Sequence, residues 1–262
     1  MKPRALSGTG SASSYGMAWE ILRTHQLTRD GHPLDIVSKS GALRSYYSTI
    51  ALIPELGLGF SILVAGEEKT MHRLRTDITE RLLPMVEDGL REATKLKYEG
   101  EYIFMEQGVP DQAWRLRLSV DEQHEGLRIT EWFSDGKDFL KNYSALQGRV
   151  GDSWEAHVIP SNVKFVEGPW MVQVWRVMMV PNAPGTGCTV WNCGSWNDID
   201  DLQWAGKSVG EFRIKENGDG QVISIEMVGL RKEVFKMAYS DFKTKSWFEK
   251  IAEWLMLISF EL

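Results

Sequence analysis

Cysteine is scarce in this chain, which excludes a fold held together by several disulfides. Only two are present, Cys188 and Cys193 in the stretch "CTVWNC", and their spacing is not the CxxC spacing of a metal site. If this stretch is a strand, residues five apart point to opposite faces, so a direct bridge between them requires a turn. A disulfide and a pair of buried thiols therefore both stay open.

Positive charge is in deficit, with 30 Lys and Arg against 36 Asp and Glu and a net charge of −6. Nucleic-acid binding needs a concentrated surplus of cations, so we expect no nucleic-acid partner. No apolar run approaches the roughly 18 residues of a membrane span, and the N-terminal stretch "MKPRALSGTGSASS" lacks the apolar region of a secretion signal. We therefore expect no transmembrane segment and a cytoplasmic location.

The usual motifs for metals and cofactors are missing as well. The five histidines include no HExxH pattern and no pair at ligand spacing, and no Gly-rich nucleotide loop follows a strand. The acidic stretch "NDIDD" at 197–201 lacks the spacing and the glycine of a calcium loop, and we interpret it as a solvated loop. The sequence therefore predicts no metal site and no cofactor.

The first quarter of the chain is rich in strand signals. Residues 1–14 are Ser- and Gly-rich and are expected to be mobile. Four β-rich runs bounded by turn residues follow: "YGMAWEIL", "LDIVSKSG", "YYSTIALIP" and "LGFSILVAG". The compact turn "PELGLG" makes the last two runs antiparallel neighbours, so the pattern predicts a meander.

A change of period then predicts one long helix from about Thr70 to Lys97. Apolar residues recur there at spacings of three or four, namely Leu74, Ile78, Leu82, Val86, Leu90 and Ala93. Pro84 lies inside this stretch and lacks an amide donor, so we expect a kink or a break near Leu83.

The remaining chain is β-rich up to about residue 243. Short strand-like runs alternate with turn residues, and "NGDG" at 217–220 is a strong hairpin signal. Many short strands in one stretch favour a closed sheet, which removes exposed edges. The last segment, 244–262, carries a helical stripe formed by Trp247, Ile251, Trp254, Leu255 and Ile258.

Several of these stretches resemble one known family in both order and spacing. "YGMAWEIL", "SKSGALRSYYSTIALIPELGLGFSILVAG" and "ERLLPMVEDGLREATKLKYEGEYIF" resemble the C-terminal part of serine β-lactamase-like, penicillin-binding-protein-like hydrolases of fungi. "LRLSVDEQHEGLRITEWFSDGKDFL" is similar to the β-rich C-terminal domain that follows the hydrolase domain in those proteins. The similarity spans roughly residues 15–235.

The resemblance implies an α+β fold in four parts. Residues 1–14 form a mobile N-terminus, and 15–97 form a truncated β-lactamase-like antiparallel sheet with one long helix. Residues 98–243 form a lipocalin-like antiparallel β-barrel, and 244–262 form a C-terminal amphipathic helix. Because only one helix covers a sheet that carries helices on both faces in the intact fold, one face or edge of the sheet is expected to be bare.

The catalytic motifs of that family are largely absent from this sequence. The family carries a Ser-x-x-Lys motif at a helix start, a Tyr-x-Asn or Ser-x-Asn, and a Lys-Thr-Gly-type triplet on a strand. Only the triplet has a counterpart in its place, Lys39-Ser40-Gly41. The Ser-x-x-Lys spacings at 134–137, 161–164 and 240–243 and "SWN" at 195–197 are interpreted as chance. We expect a family member without the part that carries the serine nucleophile.

Aromatic residues are the other distinctive feature, with eleven tryptophans in the chain. Tryptophans in the β-rich part either fill its core or line a cavity for an apolar small molecule. If a cavity exists, the predicted ligand contacts are Ser40, Trp132, Trp170, Trp175 and Trp191. The predicted catalytic groups are Lys39, Arg44, Tyr46 and Asp135, although Lys39 is equally explained as a solvated strand lysine.

Three functions remain open. The chain is expected to bind an apolar small molecule and catalyse a non-hydrolytic step, such as a cyclisation or an isomerisation, in secondary metabolism. Alternatively it is a non-catalytic binding or partner subunit, or a homodimer, whose bare sheet face docks on a protein. A third alternative is an inactive C-terminal fragment of a serine hydrolase of the esterase or β-lactamase type.

Overall fold

A computed structural model of the chain describes most of its residues. The described residues are 5–6, 13–28, 31, 33–120, 126–149, 154–181, 188–189, 192–193 and 198–237. The predicted C-terminal helix at 244–262 lies outside them. The chain forms two compact units, the first including Met1–Glu92 and the second including Ala93–Lys243.

The sheet of the first unit follows the order of the chain, so the predicted meander is confirmed. Its antiparallel strands are β1 Ala5–Leu6, β2 Ser13–Gly16, β3 Trp19–Thr24, β4 Leu34–Leu43, β5 Tyr46–Ile53 and β6 Leu58–Ala65. The run "YGMAWEIL" is divided between β2 and β3, because Met17 and Ala18 form a turn with positive φ angles. Parts of the segment 1–14, predicted to be mobile, belong to β1 and β2.

One helix, α1 Glu68–Tyr98, follows β6 and continues through Pro84. The helix is therefore not broken near Leu83, and the kink that was the other expectation there stays a prediction. Leu83 is fully buried and packs with Leu34, Ile36, Ala51 and Ile53 of the sheet. Its burial, and that of Val86, anchors the helix on both sides of the proline, so packing outweighs the missing hydrogen bond.

The second unit is built on antiparallel strands that close into a ring. The eight ring strands are β7 Gly100–Glu106, β8 Val109–Ser119, β9 Leu127–Ser134, β11 Trp154–Glu167, β12 Trp170–Pro181, β17 Glu211–Glu216, β18 Val222–Met227 and β19 Lys232–Lys236. Their hydrogen-bonded order is β9-β11-β12-β17-β18-β19-β7-β8, and β8 pairs again with β9. The α+β class predicted from the sequence is confirmed.

The second unit also contains short strands and one short helix. They are β10 Lys137–Asp138, α2 Phe139–Leu146, β13 Cys188–Thr189, β14 Asn192–Cys193, β15 Gln203–Trp204 and β16 Lys207–Ser208. Sequence reasoning missed α2, whose start is marked by Asp138: its carboxylate accepts a hydrogen bond from the backbone N–H of Lys141 at 3.1 Å.

The interior of the ring is packed with large aromatic and aliphatic side chains. Trp132 lies at its centre, with the rings of Phe139, Tyr143 and Phe212 between 4.7 and 5.4 Å away, measured between centroids. Such tilted and edge-on contacts add to the free energy gained by burial. This packing corresponds to the alternative in which tryptophans fill the core.

Two turn expectations concern this unit. The "NGDG" turn joins β17 to β18, and the Asn217 side chain accepts hydrogen bonds from the backbone N–H groups of Asp219 and Gln221, so the hairpin is confirmed. The backbone register pairs Cys188 with Cys193, so the two cysteines lie opposite one another on β13 and β14. This is the reversal of direction that a bridge requires, and the bonding of the sulfurs stays open.

Candidate functional site

Lys39, the first residue of the Lys-Ser-Gly triplet, lies in the middle of β4. Its Nζ atom is 2.7 Å from Oε1 of Glu20 on β3, and both side chains are substantially exposed. The ammonium group is therefore already paired with a carboxylate. It is still within reach of solvent, so an anionic group of a ligand can compete with Glu20 for it.

Ser40 lies on the opposite face of the sheet, because successive residues of a strand alternate in direction. Its hydroxyl is 3.3 Å from that of Thr49, which is buried. Among the described residues, no serine hydroxyl forms a hydrogen bond with a lysine. This hydroxyl therefore lacks the adjacent base that activates a serine nucleophile.

The other Ser-x-x-Lys spacings have no helical setting in the described chain. Residues 134–137 form the turn between β9 and β10, and residues 161–164 lie inside β11 at an irregular register. The spacing at 240–243 and the "SWN" stretch at 195–197 lie outside the described residues. The two described spacings do not present a serine and a lysine one helical turn apart.

An apolar groove lies on the Lys39 face at the end of β4, β5 and β6, and we call it the β4–β6 groove. Its volume is about 550 Å³. Its lining residues are Gly41, Ala42, Leu43, Tyr46, Tyr47, Ser48, Leu63, Val64 and Ala65. The strands run side by side here, so the groove is a feature of rigid β structure rather than of a loop.

The strand register arranges three rows across the Lys39 face. The first row joins Leu43, Tyr46 and Ala65, the second joins Gly41, Ser48 and Leu63, and the third joins Lys39, Ile50 and Ser61. Lys39 and Tyr46 thus share a face, whereas Ser40 does not.

This face is the exposed apolar surface that the sequence led us to expect. Leu63 is 81% exposed, Leu43 76% and Tyr46 67%. A Cβ atom at Gly41 in the middle row would lie 2.9 Å from Oγ of Ser48, so that side chain would have to shift. Arg44 lies in the adjoining β4–β5 turn, exposed and with a positive φ angle.

Two of the predicted ligand contacts of the second unit are buried in its core. Trp132 is fully buried, and its indole Nε1–H lies 3.1 Å from Sδ of Met227. Trp175 is buried against Tyr98, with ring centroids 5.1 Å apart. Trp170 is half-buried at the start of β12, Asp135 is exposed in a turn, and Trp191 lies outside the described residues. Their role in binding stays a prediction.

One buried polar cluster was not foreseen from the sequence. Glu216 is buried at the end of β17, where its Oε1 atom is 2.9 Å from Nζ of Lys97 and accepts a hydrogen bond from Nε2 of Gln173 at 2.6 Å. Tyr98 donates a longer hydrogen bond of 3.4 Å to the same oxygen. The signal was the alternation of "EFRIKE", which puts Glu216 on the same face as Phe212 and Ile214.

The ionisation of this cluster follows from its burial and its charges. Burial lowers the pKa of Lys97, but the hydrogen bond and the charge of Glu216 outweigh that effect, and the pKa is raised overall. Burial is also the main reason why the pKa of Tyr98 is raised. The cluster is therefore an ion pair with a neutral tyrosine beside it at neutral pH. Glu216 is buried, whereas the Lys97 side chain is 32% exposed, and we interpret the cluster as structural.

Metal sites and membrane helices have no candidate in the described part of the chain. No group of three or more His, Cys, Asp or Glu side chains within it is arranged to hold a metal ion. Likewise, none of its helices combines the length and the apolar character that crossing a membrane requires.

Comparison with known proteins gives one family match. The family described as "Beta-lactamase-like-like, C-terminal domain" matches residues 90–238, more than half of the chain. No solved structure matches the chain.

Individual relatives are fungal and are named in similar terms. A "Beta-lactamase-like protein" of Arthroderma benhamiae is 28% identical over 261 residues, covering 90% of this chain and 43% of the relative. A "Probable hydrolase" of Cochliobolus lunatus is 26% identical over 84% of this chain and 37% of its own length. A "Probable hydrolase" of a Phoma species is 25% identical over 84% of this chain and 38% of its own length. The chain thus spans about two fifths of the length of these relatives.

Proposed function

The chain belongs to the β-lactamase-like C-terminal domain family, and from this premise we propose that it binds an apolar small molecule in the β4–β6 groove and supports a non-hydrolytic reaction. The reaction type is a cyclisation or an isomerisation of a secondary metabolite. The observation that carries the proposal is the groove itself, an apolar cleft of about 550 Å³ beside Lys39.

The size and the lining of the groove support a small organic ligand. Ligand sites are typically concave and mostly apolar, with a few polar groups that fix orientation. Here the aliphatic surface on the Lys39 face comes from Leu43 and Leu63, and the phenol of Tyr46 supplies a donor at the rim. Lys39, two residues along β4 from Gly41, would attract a carboxylate or an enolate oxygen on the same ligand.

The chemistry proposed needs no serine nucleophile. Ser40 bonds with Thr49 on the other face, so it supports no covalent mechanism through this triplet. A non-hydrolytic step needs only a substrate held in a reactive shape and a few oriented donors. The proposal also treats the closed ring of the second unit as a lipocalin-like barrel whose role is to hold the fold.

Binding is tested with a neutral apolar fluorophore, N-phenyl-1-naphthylamine, and the purified chain. Leu63→Gln removes exposed apolar surface from the groove, and we expect about tenfold weaker binding, as for the loss of one buried leucine. Leu146→Gln is the matched control, since Leu146 is also exposed (66%) but lies in α2 of the second unit. Absence of saturable binding, or equal loss in both variants, contradicts the proposal.

The non-hydrolytic part is tested separately. A fluorophosphonate probe and p-nitrophenyl butyrate should give no serine label and no turnover with the purified chain. Covalent labelling of a single serine would contradict this part while leaving the groove as a binding site.

A second candidate function is docking on another protein, favoured by the strongly exposed Leu43, Tyr46 and Leu63 on one flat face. Light scattering of the wild-type chain and of Leu63→Gln distinguishes the two. A dimer that becomes a monomer in the variant supports docking on a second copy of the chain, whereas an unchanged monomer contradicts self-docking.

A further inference from the structure

A charged cavity lies in the second unit, on the outer side of β17, β18 and β19, and its volume is about 400 Å³. Five cationic residues line it: Lys207, Arg213, Lys215, Arg231 and Lys232. Only three acidic residues do so, Glu167, Glu226 and Glu233. The whole chain has more acidic than basic residues, whereas the lining of this cavity has more basic than acidic ones.

Two of the five cations form ion pairs with the three carboxylates. Nζ of Lys215 is 3.2 Å from Glu167 and 3.3 Å from Glu233. Arg213 pairs with Glu226 across the β17–β18 ladder at 3.7 Å, and with Glu211 outside the cavity at 3.1 Å. The acidic groups are therefore satisfied within the protein and do not need a ligand cation.

The other three cations have no carboxylate partner among the described residues. The side chains of Lys207 and Arg231 are exposed at the cavity and make no ion pair there. Lys232 lies over two aromatic rings, 4.1 Å from the centroid of Phe104 and 5.0 Å from that of Trp114. A cation–π contact stabilises an ammonium group but does not neutralise its charge. Five cations against three carboxylates leave the charged cavity with a net positive charge.

The backbone fixes where two of these cations lie. Gly229 lies so close to the β15–β16 hairpin that a Cβ atom there would be 2.6 Å from Cα of Val209 and 2.8 Å from the carbonyl oxygen of Ser208. This contact holds Lys207, the residue before Ser208, beside the turn that carries Arg231. Arg231 itself has a φ angle of 54°, a conformation that most side chains avoid. Packing therefore fixes the backbone that carries these two cations.

We propose that the charged cavity binds a small molecule through an oxyanion group, a phosphate or a carboxylate, held by Lys207 and Arg231. Guanidinium and ammonium donors around one oxyanion form charge-assisted hydrogen bonds, which are stronger than neutral ones. The site lies wholly within the second unit and is independent of the β4–β6 groove.

The test uses isothermal titration of the full chain with two probes, inorganic pyrophosphate and succinate, at low ionic strength. Saturable binding of pyrophosphate alone identifies a phosphate site, and saturable binding of succinate alone identifies a carboxylate site. Failure of both probes to bind overturns the proposal.

Variants at the cavity show where the probe binds. Arg231→Asn removes the charge while keeping a residue that tolerates positive φ, and Lys207→Gln removes the second charge. Each should weaken binding about tenfold, as for the loss of one charge-assisted contact. Lys137→Gln is the control, an exposed lysine of the same unit outside the cavity, and it should bind like the wild type. Equal weakening by all three variants would reveal general charge attraction and overturn the site.

Discussion

Nζ of Lys39 and Oε1 of Glu20 lie 2.7 Å apart on adjacent strands of the first sheet, both in reach of solvent. Exposed ion pairs contribute little to stability, because water screens them and long side chains lose freedom. We predict that Lys39→Ala lowers the free energy of unfolding by less than about 1 kcal/mol, measured by urea denaturation.

A buried ion pair provides the contrast. Lys97→Ala leaves the carboxylate of Glu216, which is buried, without its cation, so we expect a loss of about 3 kcal/mol in the same assay. Equal effects of the two alanine variants would contradict the difference in burial on which both expectations rest.

Trp132 is expected to be the most sensitive tryptophan of the second unit. Truncating it in Trp132→Ala opens a large cavity among aromatic rings, and we expect a loss of about 4 kcal/mol. Trp204→Ala is the control, because that side chain is 68% exposed on the β15–β16 hairpin, and it should change stability by less than about 0.5 kcal/mol. Thermal unfolding followed by far-UV circular dichroism measures both.

Alkaline pH should destabilise the second unit through its buried phenols. Burial raises the pKa of Tyr143 to about 12, from an ordinary value of 10.0, and burial raises the pKa of Tyr102 as well. Below pH 10 both folded and unfolded chains hold the phenol proton. Between about pH 10 and pH 12 only the unfolded chain loses it, so stability falls as pH rises through that window.

Tyr143→Phe removes one of these two buried phenol groups. The drop in unfolding free energy between pH 9 and pH 12 should then be smaller than in the wild type, by on the order of 2 kcal/mol. Tyr15→Phe changes a tyrosine that is 57% exposed and should follow the wild-type profile. A decline in Tyr143→Phe as steep as that of the wild type would show that Tyr143 is not responsible.

Gly229 should tolerate no side chain. Its added Cβ atom would meet backbone atoms of Ser208 and Val209, which cannot move as a flexible side chain can. Gly229→Ala is therefore expected to cost about 3 kcal/mol of stability by overpacking. Gly218→Ala places a methyl group where nothing lies within 4 Å and should be nearly neutral. Similar stabilities of the two variants in urea would contradict the close approach.

The sequence predicted those elements whose signals lie within a short stretch of residues. The meander of β3 to β6, the long helix and the hairpin at 217–220 each follow from residue period and turn chemistry within a short window. The turn at Met17 and Ala18 carries no glycine, so the division of "YGMAWEIL" into two strands had no signal. Helix α2 is short, and the capping residue Asp138 is its only sequence signal.

The candidate site was predictable in part for the same reason. Once β4 and β5 are known to form a hairpin, the register puts Lys39 and Tyr46 on one face and Ser40 on the other. The charged cavity and the cluster around Glu216 depend on which distant strands meet. Lys97 lies near the end of α1 and Glu216 at the end of β17, so they meet only once the second unit has folded. No pattern within one segment predicts such a pairing.

The closure of the ring also sets the order in which the second unit can be completed. Its first strand, β7, pairs with its last, β19, in a register that joins Phe104 to Val234. During synthesis, the apolar side chains of the ring interior therefore stay exposed until nearly all of this unit has been made. Pairing two strands so far apart in the sequence is also slow. Shielding by a chaperone during synthesis would matter more for this unit than for the sequential sheet that precedes it.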